Sequence, residues 1–171
     1  MEVSEAIERL LPAFEQYYTV EKYNIPNPFC AKAEFRSHNE QYFLVRSAHI
    51  ADIDSNEFVY FATVPALDSQ KLESFVSTSW ENGLRLVKPY NGHRNSDISL
   101  IILAKTVDEQ IKRQIKKTRL YKSYKFSLYG WSNFKLAVVE LDTQGIYFNR
   151  FGKDYQKLLK KNIFLMEESR K

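Results

Sequence analysis

Residues 98–104 limit the possible folds of this chain more than any other segment. Their sequence, ISLIILA, is apolar at nearly every position, and a strand of this composition is buried on both faces. With 171 residues, of which 44% are hydrophobic, the chain is long enough for one domain with a substantial core. We therefore expect a single domain over residues 1–166, followed by a frayed tail over 167–171.

Hydrophobic periodicity predicts the order α-βββ-α-β-α-βββ-α around that strand. A first helix over 3–18 should bend but continue through Pro12, and a second helix should begin at the cap residue Asp68 and end before Pro89. The other predicted elements are strands at 31–36, 42–50, 58–64, 98–104, 120–129, 134–141 and 146–150, a helix that starts near residue 106, and a last helix over 155–166. Short turns between neighbouring strands favour antiparallel pairing. The predicted fold is α+β, with one mixed, mostly antiparallel sheet flanked by helices.

Positive charge is concentrated in residues 105–131. This segment contains eight lysines and arginines but only two carboxylates, so its net charge is +6, whereas the net charge of the whole chain is +4. Val107, Ile111 and Ile115 are spaced to hold the helical part on the core, and Thr106 with Glu109 should form a capping box at its start. A solvated helix face beside a core strand would produce the same pattern, so the charge alone does not indicate a ligand.

Aromatic residues follow the basic helix directly and make this segment the strongest candidate for a binding site. Alternation along the predicted strand over 120–129 divides it into one core face and one basic, aromatic surface. The two sets are Lys122, Tyr124, Phe126 and Leu128, and Tyr121, Lys125, Tyr129 and Trp131. Cations neutralise phosphates and rings stack on bases. The candidate residues for a polyanion or nucleic-acid site are Lys112, Lys116, Lys117, Arg119, Lys122, Lys125, Tyr129 and Trp131.

Catalysis and metal binding find little support in short motifs. The chain contains no G-x-S-x-G elbow and no glycine-rich phosphate loop. His38, His49 and His93 have no partner at ligand spacing, so we predict neither a metal site nor a cofactor. Glu140 and Asp142 could serve as an acid and a base, but a cross-strand salt bridge in an exposed hairpin explains them as well.

The order of the first elements matches the core of metal-dependent nucleases of the restriction-enzyme type. Those enzymes need an acidic residue on the second strand and an acidic-x-Lys triplet on the third, which hold Mg²⁺ and position the attacking water. The predicted third strand, over 58–64, contains neither a carboxylate nor a lysine. The chain therefore has the order of a nuclease without its metal motif.

Export and membrane signals are missing from the sequence. Cys30 is the single cysteine, which excludes an intramolecular disulfide and fits a reducing compartment. The N-terminal residues are acidic and amphipathic, unlike a signal peptide, and the longest apolar runs are far shorter than a membrane span. We expect a cytoplasmic protein with no membrane partner.

Several short motifs resemble a family of small uncharacterised prokaryotic proteins that share a domain of unknown function. They are YKSYKF at 121–126 leading to Gly130-Trp131, VVEL at 138–141, NRFGK at 149–153, YFL at 42–44 and LVKP at 86–89. The resemblance covers roughly the whole chain. It implies a single-domain fold and carries over no catalytic residue.

Three functions are compatible with these observations. The leading hypothesis is a non-enzymatic cytoplasmic module that binds another protein or a second copy of itself, because the chain has many aromatic residues and no catalytic constellation. The first alternative is nucleic-acid or polyanion binding through residues 105–131. The second is an enzyme whose site lies near His93 or Glu140.

Overall fold

The computed structural model describes residues 1–36, 54–90 and 93–165. Its helices and strands are α1 (Val3–Glu15), β1 (Thr19–Glu21), β2 (Ala31–Arg36), β3 (Asp54–Leu67), α2 (Ser69–Leu86), β4 (His93–Val107), α3 (Glu109–Lys117), β5 (Tyr121–Ser123), β6 (Trp131–Glu140) and β7 (Gly145–Phe148). A C-terminal helical segment follows, made of a 3₁₀ turn at Gly152–Tyr155, a single α-helical turn, α4, at Gln156–Leu159, and a π-helical end at Lys160–Leu165.

The seven strands of the described residues form one mixed sheet in the order β1-β2-β3-β4-β6, and β5 and β7 share the outer edge of β6. β3, β4 and β6 are parallel to one another, while β1–β2, β2–β3, β5–β6 and β6–β7 are antiparallel pairs. The predicted α+β fold, with one mixed sheet flanked by helices, is confirmed. The apolar segment 98–104 lies in β4, at the centre of the sheet, and is fully buried.

Each face of the sheet has its own hydrophobic core. Even-numbered residues of β4, such as Leu100 and Ile102, pack with α2 and α3, whereas odd-numbered residues, such as Ile101 and Leu103, pack with α1 and the C-terminal helical segment. Gly83 lets α2 approach the sheet closely, because a Cβ atom there would lie 2.6 Å from the side chain of Ile98. The result is three layers, helix–sheet–helix, with β4 buried on both sides.

Local signals within the helices are confirmed. α1 continues through Pro12 as one helix. The Asp68 side chain caps α2 by accepting a hydrogen bond of 2.8 Å from the Lys71 amide. Ile111 and Ile115 are buried and hold α3 on the core. These signals are read correctly because they depend on residues no more than four positions apart.

The predicted capping box between Thr106 and Glu109 is wrong. Thr106 pairs with Ala66, and the parallel ladder continues to Val107. Asp108 occupies the N-cap position of α3 and makes no side-chain capping hydrogen bond. The box cannot form because the strand ladder runs on to Val107, so the helix begins later and Glu109 is its first residue rather than its third.

Strand boundaries differ from the prediction at several points. β4 begins at His93, inside the predicted polar loop over 90–97, and β3 begins at Asp54, four residues before the predicted strand, because the two strands pair along their whole length. The short edge strand β1 was not predicted. The predicted strand over 42–50, the tail over 167–171, His38 and His49 lie outside the described residues.

Candidate functional site

Lys112, the first of the predicted polyanion contacts, is engaged inside the fold. Its Nζ atom lies 2.5 Å from the carboxylate of Glu109 and 3.4 Å from that of Glu140. The same atom lies 4.8 Å from the centre of the Tyr147 ring. The hydrogen bond to Glu109 is the largest of the contacts that raise the pKa of Lys112. Lys112 therefore makes contacts within the fold, and its positive charge is already compensated by Glu109 and Glu140.

Glu140 is buried and both of its carboxylate oxygens accept hydrogen bonds. It accepts hydrogen bonds from the Val107 amide (3.0 Å), the Thr143 hydroxyl (2.7 Å) and the Tyr147 hydroxyl (2.9 Å). Burial alone would raise the pKa of Glu140, but these donors outweigh it and the pKa is lowered. The predicted cross-strand salt bridge in an exposed hairpin is wrong, because Glu140 pairs with Gly145 and points into the fold. This carboxylate connects the end of β6 to the start of α3.

His93 and Glu140 lie at opposite ends of the parallel strands. His93 is the first residue of β4, whereas Glu140 is level with Ala104 near the end of that strand. Eleven residues of extended chain separate these levels, roughly 35 Å. The two positions proposed for an enzyme site thus cannot belong to the same site.

The connection from β5 to β6 has an unusual backbone. β5 ends at Ser123, so the predicted strand over 120–129 is wrong beyond that residue. Lys125, Phe126 and Ser127 all adopt left-handed conformations, with φ of 45°, 54° and 68°. A residue with a side chain loses about 1–2 kcal/mol in this region. The turn persists because hydrogen bonds across its base hold it, including the Tyr124 amide to the Gly130 carbonyl at 2.9 Å.

Two apolar side chains occupy the tip of this β5–β6 hairpin (residues 121–133). Phe126 is 98% exposed and Leu128 is 73% exposed, and we refer to this pair as the apolar tip. Strand alternation had assigned both residues to one face together with Lys122 and Tyr124. That assignment fails because the chain leaves the sheet after Ser123 and turns left-handed. The fold thus holds two large apolar groups in solvent at an energetic cost.

Five exposed cations precede the apolar tip along the chain and form what we call the basic cluster: Lys116, Lys117, Arg119, Lys122 and Lys125. Within the described part of the chain, none of them lies within 4 Å of a carboxylate. All five fall within ten consecutive residues, from the end of α3 to the hairpin turn. Unlike Lys112, these residues carry uncompensated charge.

The predicted stacking residues are less accessible than the tip. Lys125 Nζ lies 4.4 Å from the centre of the Tyr129 ring, and Lys122 Nζ lies 5.7 Å from that of Tyr124, so a cation already covers one face of each ring. Trp131 is half-buried as the first residue of β6, between Ser123 and Asn95. The hairpin therefore offers exposed charge and an apolar tip rather than a row of free rings.

A second polar cluster lies on the opposite face of the sheet and was missed in the sequence. The Glu57 carboxylate on β3 accepts hydrogen bonds from Tyr18 (2.6 Å), Ser99 (2.8 Å) and Tyr155. Lys135 Nζ on β6 lies 3.4 Å from the same carboxylate. The available signal was Lys135 itself, a charge between two core residues of a strand, at a position that points inward.

The two carboxylates of this cluster, Glu57 and Asp97, have pKa values shifted in opposite directions. Burial would raise the pKa of Glu57, but Lys135 and the three hydroxyl donors outweigh it and lower the pKa. The pKa of Asp97 is raised, chiefly by burial, although its Oδ2 atom lies 3.2 Å from Lys135. Its Oδ1 atom is buried and has no hydrogen-bond partner in the described residues. The cluster ties the connection between α1 and β1, through Tyr18, and the C-terminal helical segment, through Tyr155, to the sheet, at a local cost from Asp97.

The described residues contain no group of three or more His, Cys, Asp or Glu placed to hold a metal ion. β3 does include Asp54 and Glu57, but the acidic-x-Lys triplet of the nucleases is absent from it. No helix in the described residues is long and apolar enough to cross a bilayer.

Comparison with known proteins identifies the family of the chain. Residues 2–161 match the model of a domain of unknown function, DUF8052, and the chain belongs to that family. This agrees with the resemblance to an uncharacterised single-domain family. No curated protein and no solved structure matches the chain.

Proposed function

We propose that this DUF8052 protein is a non-enzymatic cytoplasmic module that binds an anionic surface through the β5–β6 hairpin and the basic cluster. The observation that carries the proposal is the combination of uncompensated cations with an apolar tip that the backbone holds in solvent. Exposed apolar groups within a charged surface often mark an interaction site, and concentrated like charges repel one another until a partner of opposite charge binds.

Binding explains the polar residues better than catalysis does. Glu140 is buried and Glu57 is half-buried, and each already accepts three hydrogen bonds from donors within the fold. An acid or base needs a lone pair or proton that can reach a substrate. The cations of the basic cluster, in contrast, are exposed and form no ion pair within the described residues, so they are available to an anionic partner.

An anionic partner fits the hairpin better than a second copy of the chain. A symmetric dimer through this surface would bring the two basic clusters together, and like charges repel. The basic cluster also favours long-range attraction of a negative surface, which weakens as salt is added.

Retention on a heparin column tests the proposal, because heparin is a polyanion with neither bases nor lipid chains. The basic-cluster variant replaces Lys116, Lys117, Arg119 and Lys122 with Gln. The matched control replaces Lys153, Lys157, Lys160 and Lys161, which are exposed on the C-terminal helical segment. Each variant loses four positive charges, so both have a formal net charge of 0 instead of +4.

The basic-cluster variant should elute from heparin at clearly lower salt than the control. Both variants should melt near the wild-type temperature, since surface changes usually stay within ~0.5 kcal/mol each. Equal elution of the two variants would mean that retention reflects only net charge. The proposed function would then be wrong.

A further inference from the structure

We infer that the anionic surface is a lipid bilayer with acidic headgroups, and that Phe126 and Leu128 insert into its interfacial region. This inference rests on the proposed function and adds the class of partner. It differs from the sequence-based expectation of no membrane partner, which considered only segments that span a bilayer. A protein that attaches to a bilayer from one side needs no such segment.

The hairpin contains the residue types found at a bilayer interface, with apolar residues in its turn and lysine–tyrosine pairs beside them. The apolar tip lies in the turn that joins β5 to β6, and Phe126 and Leu128 are the most exposed apolar residues of the hairpin. Behind it come two pairs in which a lysine covers a tyrosine ring, Lys125 with Tyr129 and Lys122 with Tyr124. Tyrosine and lysine both place an apolar body at the headgroup level and a polar end in water.

The remaining cations lie on the N-terminal side of β5 and would attract a negative surface at longer range. Lys116, Lys117 and Arg119 precede β5 at the end of α3 and are exposed. Each basic residue close to an anionic leaflet adds attraction that salt screens. Charge and apolar insertion are the two signals that stable attachment of a peripheral protein requires together.

Single-stranded nucleic acid fits the same hairpin less well. Base stacking needs an aromatic face beside a basic groove. Leu128 has no ring, and Phe126 is almost wholly surrounded by solvent, so neither is part of a groove. The tyrosine rings behind the tip each have a lysine over one face. An exposed apolar tip without a groove around it is suited to contact with acyl chains, whereas it provides no surface on which bases could stack.

Vesicle flotation with the full chain tests the inference. Wild-type protein should float with phosphatidylcholine vesicles that contain about 30% phosphatidylserine and not with phosphatidylcholine alone, at roughly 100 mM salt. The tip variant, F126S/L128S, keeps every charge. It should lose at least about tenfold in affinity for the acidic vesicles while its retention on heparin stays at the wild-type level.

A matched control replaces one exposed aromatic residue and one exposed leucine elsewhere. Y23S/L165S removes Tyr23, which is 85% exposed, and Leu165. This variant should float as the wild type does. Circular dichroism melts of both variants confirm that they are folded.

Two results would overturn the inference. Flotation of F126S/L128S at the wild-type level would show that the tip does not insert. Failure of the wild type to float, together with a salt-dependent gel shift of single-stranded RNA, would identify the partner as nucleic acid and leave the proposed function standing. The proposed function itself fails only in the heparin experiment, so the two failures can be told apart.

Discussion

Replacement of Asn149 by alanine should strongly destabilise the protein, because its side chain completes the outer edge of the sheet. β5 pairs with β6 as far as Asn133, and β7 pairs with it only from Ala137 onward. The Asn149 side chain lies in the gap. Its Oδ1 atom accepts hydrogen bonds from the amides of Leu136 (2.9 Å) and Gly152 (2.8 Å), and its Nδ2 atom donates to the carbonyls of Phe134 (2.9 Å) and Thr118 (3.0 Å).

The magnitude follows from the groups that would be left without a partner. Every hydrogen-bonding position of the amide is used, and the residue is buried. A buried polar group without a partner costs about 1–3 kcal/mol. Counting only the two groups on β6, the amide of Leu136 and the carbonyl of Phe134, the expected loss is about 4 kcal/mol. For a chain of this length, that loss lowers the melting temperature by roughly 8–16 °C.

Chemical denaturation of Asn149→Ala, Asn149→Asp and the wild type measures this loss. Aspartate keeps the acceptor role but faces the carbonyls of Phe134 and Thr118 without a donor, so it should also destabilise. Asn82→Ala, a half-buried asparagine on α2, is the control and should stay within ~0.5 kcal/mol. If the free energy of unfolding of Asn149→Ala stays within ~1 kcal/mol of the wild type, the proposed role of Asn149 is refuted. Water would then have to bind the Leu136 amide and the Phe134 carbonyl in place of the side chain.

Three further variants test other parts of the structure. Trp80→Ala should cost about 3 kcal/mol, because the indole packs edge-on against Phe134 at 5.9 Å between ring centres, and a near-wild-type denaturation midpoint would contradict the docking of α2. Asp97→Asn should raise stability at neutral pH, since the raised pKa of Asp97 means that its charge opposes folding above that pKa. The advantage should shrink as the pH falls through the raised pKa of Asp97 and should be gone by about pH 4, near the ordinary pKa of an aspartate, and an advantage that grows on acidification would show that the sign is wrong. Ser127→Gly should stabilise the hairpin by about 0.5–1 kcal/mol, as glycine tolerates its φ of 68°, and a loss of stability would mean that the turn is not strained.

Much of the fold follows from local patterns in the sequence. The buried strand over 98–104, the helix through Pro12, the Asp68 cap and the inward isoleucines of α3 were all predicted correctly. Each depends on side chains a few residues apart, whose positions relative to one another are set by the period of a helix or strand. The basic cluster was identified for the same reason, because its members follow one another along the chain.

The apolar tip could not be predicted from the same patterns. Residues 120–129 alternate as a strand would, and no glycine marks Lys125, Phe126 or Ser127 as left-handed. Intrinsic preference disfavours this conformation for all three. Hydrogen bonds within the turn and across the base of the hairpin stabilise it, and those across the base require β5 and β6 to be paired already.

The sequence by itself determined which segments are helical, which strand is buried and where the positive charge lies, because these properties depend on near neighbours. The tertiary structure decided the strand order and which charges are compensated. Tyr155 and Glu57, 98 residues apart, meet only because the C-terminal helical segment packs over β3, and Lys112 meets Glu140 only because α3 packs against the β6–β7 hairpin. Such contacts depend on the parallel crossovers between β3, β4 and β6, which place distant residues side by side, and no local period of the chain records them.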